Sequence, residues 1–87
     1  MVSKKLTLVN AQGFHMRPAS MFSAAMSKYS SNITIKYKDG DYNAKSLLNI
    51  IAACIRCGSE IELICDGEDE NEALAEAEQL IESGLGE

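Results

Sequence analysis

The segment Ile33-Thr34-Ile35-Lys36-Tyr37-Lys38-Asp39-Gly40-Asp41-Tyr42-Asn43-Ala44 decides the architecture. Ile33, Ile35 and Tyr37 alternate with Thr34, Lys36 and Lys38, the period of a strand that buries one face and wets the other. Asp39-Gly40 is a hairpin signal, so a short strand from about Asp41 to Ala44 returns antiparallel to the first. A sheet with one wet face must cover the other with helices, and all of them on that side.

Upstream, Val2, Lys4, Leu6 and Leu8 alternate with Ser3, Lys5, Thr7 and Val9, a strand that Asn10-Ala11-Gln12-Gly13 ends. A helix follows from Met16 to Tyr29, with Ala19, Phe22, Met26 and Tyr29 as its buried stripe and Arg17, Ser20, Ala24 and Ser27 as its wet face. Pro18 fits its first turn, which places His15 at the N-cap. Downstream, Ser46 is a good N-cap for a short helix from Leu47 to Cys54. Leu47, Ile50, Ile51 and Cys54 share a core-facing side there, while Leu48, Ala52 and Ile55 point away. Glu60 to Cys65 alternates as a further strand, closed by Asp66-Gly67. In the last helix Asp69 and Glu72 resemble a capping box, Ala73, Leu74, Ala77, Leu80 and Ile81 form the apolar stripe, and Gly84 with Leu85 has the pattern of a Schellman stop. The order is β-α-β-β-α-β-α, an α+β open-faced two-layer sandwich.

With 87 residues and no repeat or linker, the chain is expected to form a single domain over residues 1–87. Its composition, 46% hydrophobic and 24% charged, is that of a globular protein. No apolar run is long enough to span a bilayer, and Met1-Val2-Ser3-Lys4-Lys5 does not open a secretory leader, so a cytoplasmic protein without membrane insertion is expected. Three cysteines, Cys54, Cys57 and Cys65, suit a reducing compartment better than a disulfide scaffold. A net charge of −5 argues against nucleic acid as a partner. The charge is unevenly spread: seven of the eight Lys and Arg lie at or before Lys45, and eleven of the thirteen Asp and Glu lie after it. The first half could therefore attract an acidic partner or a phosphate.

His15, the only histidine, stands where unpaired backbone N–H groups and the positive end of a helix dipole converge, a ready anion site. Arg17 adds a guanidinium suited to phosphate oxygens. A neutral imidazole nitrogen is a nucleophile near pH 7, so this site could take up a phosphoryl group and hold the dianion. The bland reading, an N-cap histidine without a task, competes on position alone. What favours chemistry is Gly13, which allows a close backbone approach just before the helix. Ser46 is first of all a cap; a phosphate there would meet a second helix start, with Lys45 beside it. Met16, Leu48 and Leu47 form a candidate apolar docking patch near His15, against the alternative of scattered exposed side chains. Cys54-Ile55-Arg56-Cys57 is a CxxC without a complete metal-ligand set and without a helix N-terminus to activate a thiolate, so its cysteines are expected to be small buried hydrophobes. There is no Gly-rich phosphate loop and no paired-carboxylate cleft.

Gly13-Phe14-His15-Met16-Arg17-Pro18-Ala19-Ser20, Lys45-Ser46-Leu47-Leu48 and the acidic last helix ending Gly84-Leu85-Gly86-Glu87 together resemble the HPr family. These are the histidine-containing phosphocarriers of the bacterial phosphoenolpyruvate-dependent sugar phosphotransferase system. The resemblance spans essentially the whole chain. It implies a four-stranded antiparallel sheet of order 1-4-2-3 with three helices on one face. It implies that His15 accepts a phosphoryl group on Nδ1 from enzyme I and passes it to enzyme IIA of a sugar transporter, forming a phosphohistidine without being a stand-alone enzyme. Arg17 would steady that group and the backbone N–H groups of Met16 and Arg17 would bind its oxygens. Met16, Ser20, Leu47 and Leu48 would dock the partners. Ser46 would be the regulatory phosphoserine, served by a kinase/phosphorylase and read by catabolite control protein A. No cofactor or metal is implied, and the carrier is expected to be a monomer. A regulatory paralogue within the family lacks the histidine that this chain keeps. Met16 stands where Ala is usual, Asn49 where Gly is usual, and Cys54 to Cys57 occupy a turn that usually contains Gly.

Two further readings make different predictions. A regulatory binding module acting through Ser46 in catabolite repression would take acid-stable label from ATP and a kinase, without transfer from enzyme I. A CxxC metal or redox protein would bind zinc or carry an acidic dithiol.

Overall fold

The computed structural model describes residues 1–9 and 13–85. The element order is the expected one: β1 (Val2–Thr7), α1 (Met16–Ser27), β2 (Asn32–Tyr37), β3 (Gly40–Asn43), α2 (Leu47–Ala53), β4 (Glu60–Asp66) and α3 (Glu70–Glu82). The four strands form one antiparallel sheet in the order β1-β4-β2-β3. Its inner face contributes Leu6, Ile33, Ile35, Ile61, Leu63 and Cys65 to a core shared with Phe22, Met26, Ile50, Ala77 and Ile81 of the helices. α3 packs over β1 and β4, α2 against β3, and α1 on α2. The uncovered face is wet. There Lys5, Glu62, Lys36 and Asp41 lie opposite one another across all four strands, a row of alternating charge that favours this register.

Each departure from the expected elements has a partner distant in sequence. β1 ends at Thr7, opposite Glu60, because β4 starts there; Leu8 instead bonds the preceding loop, its N–H to Ser59 (3.0 Å) and its carbonyl from Gly58 (2.9 Å). The proposed terminator Asn10 to Gln12 lies outside the described residues, as do Gly86 and Glu87. α1 stops at Ser27, two residues before Tyr29. The chain beyond it is claimed by α3: Asp69 accepts the backbone N–H groups of Ser30 and Ser31, both at 2.9 Å, and the Ser31 hydroxyl. Tyr29 is half-buried against the core and donates its hydroxyl to Glu76 at 2.6 Å.

The capping box at α3 is therefore a correction. Asp69 stands at the N-cap but its carboxylate makes no cap bond, being spent on the α1–β2 connection. The Schellman stop, by contrast, forms as read: Gly84 (φ 88°) donates to Ile81 and Leu85 donates to Leu80 at 2.9 Å, with Leu85 buried.

The second correction concerns the end of α2. Cys54 takes a left-handed conformation (φ 55°, ψ 42°), which ends the helix at Ala53 and breaks its period. Ile55, expected outside, turns into the core at 2% exposure, while Cys54 and Cys57 stand in solvent. Of the three cysteines only Cys65 is buried, and burial pushes its thiol pKa up. Leu47 and Ile51 are half-buried against the core, so the helix's inner face is otherwise as expected.

Candidate phosphoryl site

The loop that delivers His15 is held from below. Gly13 has φ +63°, and a Cβ there would lie 2.4 Å from the carbonyl oxygen of Ile55 and 2.6 Å from the Cα of Arg56. Only glycine fits both the conformation and the space. The next residue, Phe14, donates its N–H to that same Ile55 carbonyl at 2.9 Å and buries its ring against Phe22, centroids 5.3 Å apart. The turned-in Ile55 thus serves as the platform for the loop two residues before the histidine. Sequence reading singled out Gly13 but missed Phe14 and Ile55, because the bond between those two joins distant parts of the chain. Gly13 followed by a large aromatic was the only local trace.

His15 is the N-cap of α1, with extended backbone (φ −83°, ψ −176°), and is partly exposed. Its carbonyl accepts the first intrahelical bond, from Ala19 at 3.0 Å. Its imidazole does not cap the helix. The N–H groups of Met16 and Arg17 precede the first possible intrahelical donor, and Pro18, third in the helix and buried, has none. Two adjacent donors are thus left at the helix mouth beside the imidazole. The first turn contains no acidic residue. An anion there meets the dipole and an exposed arginine, with no carboxylate in the same turn.

Of the candidate docking residues, Met16 is 61% and Leu48 79% exposed, Ser20 is exposed and Leu47 half-buried. Contacts between α1 and α2 bring these two apolar-bearing helices together. Ser46 caps α2 as read, with extended backbone and an Oγ that accepts from the backbone N–H and side-chain Nδ2 of Asn49, both at 3.3 Å. Lys45 does not reach toward Ser46; its Nζ donates to the Tyr29 carbonyl at 2.6 Å and so ties α2's entry to the end of α1. Among the described residues no group of His, Cys, Asp and Glu could hold a metal ion, and no helix is long and apolar enough to cross a membrane.

The family profile for the PTS HPr component phosphorylation site matches residues 2–83. The phosphocarrier protein HPr of Treponema pallidum is 37% identical over 87 residues, all of this chain and 99% of that protein. The crystal structure of HPr-C-His from Thermoanaerobacter tengcongensis superposes with a TM-score of 0.96 at 36% identity, covering all of this chain and 98% of that one. The Bacillus subtilis catabolite repression protein Crh, solved as a domain-swapped dimer, is similar with a TM-score of 0.77 at 28% identity, covering 97% of each chain.

Proposed function

Because the chain belongs to the HPr family, the phosphocarriers of the sugar phosphotransferase system, we propose that His15 is its phosphoryl acceptor and donor, loaded by enzyme I and discharged to enzyme IIA. In the loading step the imidazole Nδ1 lone pair attacks phosphorus. The bond from phosphorus to the donor breaks as the nitrogen–phosphorus bond forms, and the electron pair leaves with the donor. The transferred group brings a dianion to the mouth of α1. There the N–H groups of Met16 and Arg17 take its oxygens and the Arg17 guanidinium balances its charge. Neither interaction bonds covalently to phosphorus, so the same groups can hold the phosphoryl group and release it. A carrier needs that near-balance between uptake and delivery more than it needs tight binding.

One observation carries this reading: a helix start without acidic residues, with two N–H donors that have no intrahelical acceptor, directly follows the chain's only histidine. Met16, Ser20, Leu47 and Leu48 are the proposed contact surface for both partners, which would meet it in turn as a single copy in the cytoplasm. Incubation with enzyme I and labelled phosphoenolpyruvate should yield an acid-labile phosphoramidate that His15→Ala abolishes. Label that survives acid would overturn the assignment.

Ser46 is proposed as a regulatory phosphorylation site for an ATP-dependent kinase/phosphorylase, with the phosphoserine read by catabolite control protein A. Its support is position: a partly exposed hydroxyl beside the exposed Leu48 of the proposed docking surface. A phosphate there would put a dianion on the surface that an acidic partner must approach, and so slow loading of His15. Ser46→Asp should lower the loading rate by enzyme I several-fold while leaving the acid lability of the product unchanged.

A further inference from the structure

The structure exposes two thiols that the phosphocarrier reading leaves unused, and it places them on the segment that supports the His15 loop. Cys54 and Cys57 are both exposed, whereas Cys65 is in the core. Between them Ile55 is anchored in the interior and accepts the Phe14 N–H, and Arg56 packs its backbone against Gly13. The two thiols differ in surroundings. Cys54 lines a groove of about 720 Å³ between the end of α2 and the β2–β3 turn, together with Tyr37, Lys38, Asp39, Tyr42 and Arg56; Cys57 does not. That volume is in the range of small-molecule sites, and its two cations outnumber its one carboxylate. A peptide-sized anion could lie there against Lys38 and Arg56 with its reactive atom at the Cys54 sulfur.

The geometry points to Cys54 and Cys57 as a thiol–disulfide switch, in which Cys54 reacts first with a carboxylate-bearing low-molecular-weight disulfide of the glutathione class and Cys57 then resolves the adduct. In the first step the Cys54 thiolate attacks one sulfur of the disulfide. That S–S bond breaks, a new one forms to Cys54, and one small thiolate leaves and takes up a proton. In the second step the Cys57 thiolate attacks the Cys54 sulfur, expelling the second small thiol and closing an intrachain disulfide. The protein loses two protons and two electrons, and the small disulfide gains both. Closure must draw Cys54 out of its left-handed position (φ 55°) and pull on Ile55 between the two sulfurs. The bond from Phe14 to Ile55 is then the first contact to yield, and with it the support under Gly13. The effect on His15 chemistry rests on the function proposed above; the thiol chemistry does not.

The test uses the full chain and oxidised glutathione, with adducts located by peptide mass spectrometry and the Phe14 amide followed by hydrogen exchange. Cys57→Ser should accumulate the glutathione adduct on Cys54, whereas Cys54→Ser should react at Cys57 roughly tenfold more slowly. The unsubstituted chain should end as the Cys54–Cys57 disulfide, with faster exchange at Phe14. Lys38→Gln with Arg56→Gln should slow the reaction with oxidised glutathione but leave that with the uncharged 2-hydroxyethyl disulfide unchanged. Equal reactivity of the two cysteines, or a glutathione adduct that persists in the unsubstituted chain, would overturn the proposal. Neither readout involves phosphoryl transfer, so an inactive His15 and an inactive switch are separate results.

Discussion

Two helices of this chain begin in opposite ways. α3 opens with three carboxylates, and two of them are committed: Asp69 holds Ser30 and Ser31, and Glu70 accepts from Gly67 at 3.2 Å and pairs with the chain's N-terminal ammonium at 3.0 Å. Glu72 adds charge of the sign the dipole favours. α1 opens with histidine, methionine, arginine and proline, and has no acid in its first turn. Its stability comes instead from beneath, through Gly13, Phe14 and the Ile55 platform. One helix start uses its local electrostatics to tie the fold together. The other leaves two N–H groups without an intrahelical acceptor and draws its rigidity from packing.

The comparison breaks most sharply at His15. The imidazole makes no cap bond, so His15→Ala should leave α1 and the fold in place, as read by circular dichroism, while enzyme I-dependent labelling falls to background. Loss of the fold would mean that this side chain, like that of Asp69, ties the structure together. Gly13→Ala comes next and acts the other way round, through the fold. It combines a left-handed backbone with a Cβ 2.4 Å from a carbonyl oxygen. It should cost about 2 kcal/mol or more by urea unfolding, and slow labelling because the histidine loop lifts from its platform.

At α3 the same comparison becomes a pH dependence. The Ser31 hydroxyl and the backbone N–H groups of Ser30 and Ser31 hold the Asp69 carboxyl down to about 2, against an unfolded value of about 3.9. A folded pKa below the unfolded one means the contribution is present above about pH 4 and is lost as pH falls toward 2. Asp69→Asn should lower the thermal midpoint at neutral pH and flatten the acid limb of the stability curve in that window. An unchanged acid limb would show that the hydrogen bonds to Ser30 and Ser31 are not what stabilises the connection.

How much of this was legible beforehand follows the distance over which each feature is decided. Strand alternation at Ile33 to Lys38, the N-cap positions of His15 and Ser46, and the Gly84-Leu85 stop are set by neighbours within a turn, and all were readable. Asp69 carried the local marks of a cap but bonds residues on another loop, a competition that spacing does not reveal. Cys54 lacks glycine's freedom and still adopts φ 55°, because burying Ile55 repays the strain. A helical wheel run through Cys54 therefore put the wrong residue inside. The strand order came only with the family resemblance, since alternation says which face is buried and not which strands are neighbours. The candidate site was half legible for the same reason: the places of His15 and Arg17 at the start of α1 are set locally, and the platform under them is not.

The smallest effect is the most discriminating, because it should have opposite signs on the two properties. Met16 is exposed at the first position of α1, so Met16→Glu gives this helix the acidic start that α3 has without disturbing the core. A carboxylate there complements the dipole and should raise stability by about 0.3–1 kcal/mol in low salt, with the gain shrinking as salt is added. The same charge stands where the proposed function puts the phosphoryl dianion. It competes for the Met16 and Arg17 N–H groups and repels the incoming oxygens, so loading of His15 should slow. Met16→Gln separates the two causes: it removes the apolar contact without adding charge, and should leave stability unchanged while affecting loading only through docking. If Met16→Glu gained stability and lost no activity, the anion would not be bound at the mouth of α1, and the contrast between the two helix starts would be one of packing alone.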